Sequence, residues 1–154
     1  MQLRFMNVSV LDFLIKKEPD FHGRMLADIW AFSDFQIEKT HNFIQWVFPT
    51  TTPSASVPGS PVLKLEEVHL IRQNAEALEN LYRSAEWYLG FLERNTFWIK
   101  SHDHNHLRIT RAIQSLRLLG DADEADYFKD QIRELIGARF ADIPLRTRRF
   151  WEEA

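Results

Sequence analysis

No cysteine occurs among the 154 residues, which excludes disulfides, thiolate metal sites, iron–sulfur clusters and cysteine nucleophiles together. No apolar run approaches the roughly 18 residues that span a bilayer. Asp12 interrupts the apolar patches near the start, and Lys16-Lys17-Glu18-Pro19 stands where a signal cleavage site would fall. Neither a signal peptide nor integral membrane association is expected, and the expected compartment is cytoplasmic. Glycine is scarce, at 5 residues, and there is no Gly-rich phosphate loop, no G-x-S-x-G and no H-E-x-x-H. The net charge of −3 gives no pull toward nucleic acid. No cofactor and no metal are expected.

What is present is apolar and aromatic. The chain is 45% hydrophobic, with 12 Phe and 5 Trp, enough for a packed interior without staples. The spacing predicts an all-α single domain over 1–154, with about five to seven helices. Ser9 caps a short helix over 9–17 that Pro19 stops, although Val8 and Val10 leave a short strand open before it. Residues 25–30 read as a short helix. Ser33 caps a stronger one running to Phe48 and ended by Pro49. Residues 49–63 form an internal loop, since Thr50 to Pro61 is too rich in Thr, Ser and Pro for a regular element. One long helical stretch follows over 65–93. A further helix over 104–119 ends at Gly120, the expected C′ residue. Asp121 or Asp123 starts the next, which runs toward Gly137. Residues 142–154 are a basic C-terminal extension with a last helical piece after Pro144. Arg146, Arg148 and Arg149 there read as a solvated tail, or as a phosphate or lipid contact.

Two helices carry polar residues in unusual sectors. At about 100° per residue, Ile109, Ala112, Ile113, Leu116 and Leu119 share one face of the 104–119 helix, and Leu107 and Leu118 lie nearly opposite. His104, Arg108, Arg111 and Ser115 fall between these apolar sectors, while His106, Thr110, Gln114 and Arg117 face outward. This predicts a central helix packed on two sides, with His104, Arg108 and Arg111 as a strip. An unpaired buried charge is costly, so the arginines either pair internally, with Asp34 or Glu38, or grip an anionic ligand. On the 34–48 helix, Ile37, His41, Ile44 and Phe48 form a core stripe edged by Glu38 and Gln45. His41 there reads as a satisfied core histidine before it reads as a proton shuttle.

His102, His104 and His106 with Asp103 have alternating spacing that suits a metal on an extended segment. At a helix start, however, His104 and His106 diverge, and Asp103 is placed to cap.

The phrases His41-Asn-Phe-Ile-Gln-Trp-Val-Phe-Pro49 and His104-Asn-His-Leu-Arg-Ile-Thr-Arg111 resemble signature segments of the opioid growth factor receptor conserved-region family. Ser60-Pro-Val-Leu-Lys-Leu-Glu66, Trp87-Tyr-Leu-Gly-Phe-Leu92 and Ser115-Leu-Arg-Leu-Leu-Gly120 keep the family's order. The likeness covers about residues 11–125, and the chain resembles the short, domain-only members of bacterial and fungal type. The resemblance implies a helical domain. The vertebrate member is described as a receptor for an enkephalin peptide at the nuclear envelope that restrains growth. The matching residues include those in unusual sectors.

The expected function is therefore a non-enzymatic helical binding domain. Its ligand-binding residues are His41, Gln45, His104, Asn105, Arg108 and Arg111, and its partner is a peptide or small anionic ligand, or another protein. The alternatives are a small metal-independent hydrolase or transferase with His41 or His104 as general base, and a purely structural scaffold.

Overall fold

A computed structural model describes residues 9–154, in which every regular element is helical. Val8 lies outside the described residues. The α-helices are α1 (Val10–Leu14), α2 (Leu26–Trp30), α3 (Asp34–Lys39), α4 (Ile44–Val47), α5 (Leu65–Arg72), α6 (Ala75–Arg94), α7 (Asn105–Leu119), α8 (Ala122–Ile136) and α9 (Leu145–Glu153), with 3₁₀ turns at Thr96–Trp98 and Gly137–Asp142. They fall into two compact units, Met1–Leu81 and Tyr82–Ala154, and the boundary lies inside α6.

In the first unit, short helices are held by side chains rather than by their own length. Ser9 Oγ accepts from Asp12 N at 3.3 Å at the start of α1, and Glu67 of α5 accepts from Val10 N at 2.8 Å. At the other end, Asn80 Nδ2 donates to Leu14 O at 2.7 Å. The helix stops well before Pro19, because Lys16 takes a left-handed φ of 62°. Ser33 and Gln36 form a reciprocal capping box at α3, which satisfies two otherwise orphaned backbone donors. Phe13 and Trp46 pack with ring centres 5.3 Å apart, and Phe21 meets the same indole edge-on at 4.7 Å.

The helix read as continuous over 33–48 is broken. Thr40 is extended, at φ −93° and ψ 123°, and α4 begins only at Ile44. An ion-pair cluster fixes the break. Buried Asp20 accepts from His22 N, Arg24 N and Arg24 Nε at 2.9, 2.9 and 2.7 Å. Arg24 then donates to Asn42 Oδ1 at 2.9 Å and to Asn42 O at 3.2 Å. The stretch over 65–93 is also split, at Gln73–Asn74, where Asn74 Oδ1 accepts from Ala77 N at 2.9 Å and starts α6. These two breaks raise the helix count above the number that periodicity suggests. Residues 48–64 contain no helix or strand.

In the second unit, α7 packs against α8 and α9. Ile109, Ile113, Leu116 and Leu119 are buried, as the wheel requires. Asp121 caps α8, accepting from Glu124 N at 2.9 Å. Gly120 does not take the left-handed conformation: its φ is −90°. A Cβ there would lie 2.8 Å from the Tyr82 ring and 3.0 Å from Leu116 O, so a larger residue would have to push the half-exposed Tyr82 side chain aside. The 142–154 segment contains α9, and Trp151 is buried with its Nε1 donating to His106 O at 3.2 Å. Lys129 Nζ donates to Glu152 O at 2.8 Å, and Arg133 pairs with Glu152. Arg148 lies 4.5 Å from the Phe140 ring centre and donates to Ile143 O, so it is not part of a free tail.

Candidate functional site

The start of α7 carries the greatest density of polar residues in the second unit. Asp103 Oδ1 accepts from both Asn105 N and Asn105 Nδ2 at 2.9 Å, the role of an N-terminal cap. Lys100 lies 3.6 Å from the other carboxylate oxygen. Asn105 is sealed from solvent, and its Oδ1 accepts from the Tyr88 hydroxyl at 2.7 Å and from Arg108 Nη1 at 3.4 Å. Asn105 and Arg108 thus belong to one internal network, and Arg108 is only 6% exposed.

The histidines separate from one another. His102 and His104 are exposed. His106, read as outward, is 6% exposed: its Nε2 lies 2.7 Å from Trp98 O, which makes that nitrogen the donor, and Trp151 meets its ring edge-on at 5.7 Å. A single-helix wheel is blind to this, because the 3₁₀ turn and α9 supply the cover. Among the described residues no group of three or more His, Asp or Glu is placed to hold a metal. Thr110 Oγ1 donates back to His106 O at 3.1 Å, satisfying a hydroxyl inside the helix.

Leu107 reverses another expectation. It was placed in a second buried sector, yet it is 67% exposed. The side it occupies opens into a groove of about 660 Å³ between the start of α7 and α9, lined by His104, Leu107, Thr110, Arg146 and Phe150 among others. Farther along α7, Arg111 is half-buried. Burial lowers its guanidinium pKa to about 10, because water that would solvate the cation is excluded; one terminal nitrogen, Nη2, is enclosed and makes no hydrogen bond.

The other two expected residues lie in the first unit. His41 is exposed in the α3–α4 break and is not part of a core stripe, because the helix that would have aligned it with Ile37 and Ile44 is interrupted. Gln45 is buried: its Nε2 donates to Ser54 Oγ at 3.4 Å, and its Oε1 is enclosed without a hydrogen-bond donor. Sequence reasoning missed the Asp20–Arg24–Asn42 cluster. No local signal marked it, because the spacing places Asn42 inside the helix read over 33–48.

The elements define an all-helical protein with a polar network behind the start of α7 and an open groove beside it. Residues 3–97 match the opioid growth factor receptor (OGFr) conserved region, well over half of the chain, and the chain belongs to that family. The opioid growth factor receptor of Mus musculus is 34% identical over 120 residues, covering 64% of this chain and 19% of the relative. That of Homo sapiens is 32% identical over 149 residues, covering 77% and 21%. The chain therefore spans about a fifth of the length of the relatives it matches. No solved structure matches it. Among the described residues no helix is long and apolar enough to cross a membrane.

Proposed function

We propose that this chain is a non-enzymatic, cytoplasmic ligand-recognition domain whose His/Arg strip receives a peptide or a small anionic group. The observation that carries the reading is the open groove at the start of α7, where His104 stands exposed. Arg111, on the same helix, supplies a partly desolvated guanidinium, a state in which charge-assisted bonds to a carboxylate are strongest. Asn105 and Arg108 do not reach outward; they brace the helix that presents His104 and Arg111. His41 and Gln45 offer an exposed imidazole and an enclosed amide oxygen in the first unit. The relatives' name describes a receptor for a growth factor, which agrees with a binding role.

The test is a calorimetric titration with opioid growth factor, the ligand in the relatives' name. If the strip is a ligand site, Arg111→Leu and His104→Ala lose binding at least about tenfold while melting near wild type. If the strip is internal architecture, Arg111→Leu instead leaves a buried group without its partner. That costs about 3–5 kcal/mol, and a much earlier melt with no binding defect in His104→Ala sinks the reading.

A further inference from the structure

Helix α9 is anchored from one side only. Trp151 and the Lys129 contact fasten its inner face, while Leu145 and Phe150 remain 54% and 48% exposed. Phe150 and Arg146 form one wall of the groove whose other wall is the start of α7 with Leu107. Around the corner, Leu145, Arg146, Arg149 and Phe150 line a second depression of about 390 Å³ on the outer face of α9. Single exposed apolar residues are ordinary on a surface, but several gathered along a concave strip mark a place where something docks.

Charge identifies the occupant. Arg146 lines both the groove and the second depression, and Arg149 lines the second depression together with Glu153. The acid in the groove, Asp103, is almost covered, caps Asn105 and lies near Lys100. Arg146 holds its guanidinium carbon 5.7 Å from the Phe150 ring centre, which orders the cation over the apolar wall while leaving its N–H edges for an acceptor.

We propose that the groove between α7 and α9, continued by the depression that shares its Arg146 and Phe150, docks an acidic peptide segment of a partner protein, with a bulky apolar side chain of that segment seated between Leu107 and Phe150 and flanking carboxylates on Arg146 and, in the depression, Arg149. A concave groove with an apolar floor and a cationic rim suits an extended segment better than a flat lipid surface, and the net charge of −3 disfavours nucleic acid. The proposal rests on the reading of the chain as a binding domain, but it moves the principal contacts from Arg111 to α9.

The probe is a fluorescein-labelled peptide of glutamates flanking a central leucine–tryptophan pair, followed by anisotropy against the full chain. Its controls are the same peptide with lysines for glutamates, an all-glutamate peptide, and vesicles rich in anionic lipid. The wild type is expected to bind the first peptide and to lose affinity as salt rises. The double variant Arg146→Glu, Arg149→Glu should lose at least about tenfold and gain affinity for the lysine peptide. Phe150→Ala should lose a similar factor, and Arg72→Glu, at an exposed cation of α5 that lines neither depression, should bind as wild type does. Neither α9 variant touches Trp151, and an unchanged near-ultraviolet circular dichroism signal, which reports the packing of aromatic rings such as Trp151, shows that α9 stays docked. Equal affinity for the all-glutamate peptide, or preference for vesicles, overturns the proposal. So does binding that survives the α9 variants. If in that last case Arg111→Leu abolishes binding, the recognition strip stands and only the groove is wrong; if opioid growth factor binding alone is insensitive to Arg111→Leu, the strip is wrong and the groove stands on its own data.

Discussion

The Tyr88 hydroxyl donates to Asn105 Oδ1 at 2.7 Å, with both side chains sealed from solvent. This bond ties the second half of α6 to the first residue of α7, and through Asn105 it reaches Asp103 and Arg108. The direction in which α7 leaves its cap, and hence where His104 stands, depends on it.

Tyr88→Phe removes the donor and leaves the ring. The cost is expected to be about 1–3 kcal/mol, because a buried acceptor loses its best partner. Chemical denaturation measures it, and a change below half a kilocalorie would mean that Asn105 is satisfied without Tyr88.

Ile113→Ala should cost about 2–4 kcal/mol, as a large-to-small change in a sealed core. Ile113 is fully buried on the face of α7 shared with Ile109 and Leu116. A loss of only a few tenths in the same denaturation experiment would contradict that packing.

Gly120→Ala should destabilise by about 1 kcal/mol even though its φ of −90° suits alanine, since the new methyl crowds Leu116 O and pushes the half-exposed Tyr82 ring aside. Pairing it with Tyr82→Ala should recover part of the loss. A neutral single variant would show that the close approach is not real.

The pair of Arg117 and Asp126, 2.9 Å apart, holds the Asp126 pKa below its ordinary value, chiefly through the hydrogen bond from Arg117. A lowered carboxyl pKa means that the stabilisation is present above the ordinary aspartate range and is lost as the pH falls through the lowered value. Both groups are exposed enough for the effect on stability to be small. The direct readout is an NMR titration: in Arg117→Ala the Asp126 carboxyl should titrate at higher pH than in wild type, and an unmoved curve would remove Arg117 as the cause.

The helical class is legible because apolar residues recur at helical spacing, and Ser9, Ser33 and Asp121 cap the helices they were assigned. The interruptions are harder to read. The break after Lys39 depends on Arg24 reaching Asn42 across 18 positions, information that no local window contains. The break at Asn74 was readable, since asparagine ahead of Ala-Glu-Ala is a helix-start signal that the apolar period over 65–93 masks. The candidate site is legible in its residue types more than in its exposure. Arg108 and Asn105 are polar and internal because Tyr88 and Asp103 serve them, while Leu107 is apolar and external because the wall opposite it stands back. Exposure of that kind is decided by neighbouring elements, and a helical wheel carries none of them.

Leu63 N donates to Thr50 O at 2.9 Å, which clasps the long Thr/Ser/Pro segment at its ends, and Gln45 Nε2 holds it again at Ser54 Oγ. Most positions from Thr51 to Gly59 lie outside that clasp, at the surface. Each doubling of such a loop costs only about 0.6 kcal/mol in closure entropy. The segment is therefore where the coding sequence can be lengthened at least expense: an epitope tag, a protease site or a fluorescent protein spliced after Ser56 would be displayed without disturbing the helices on either side.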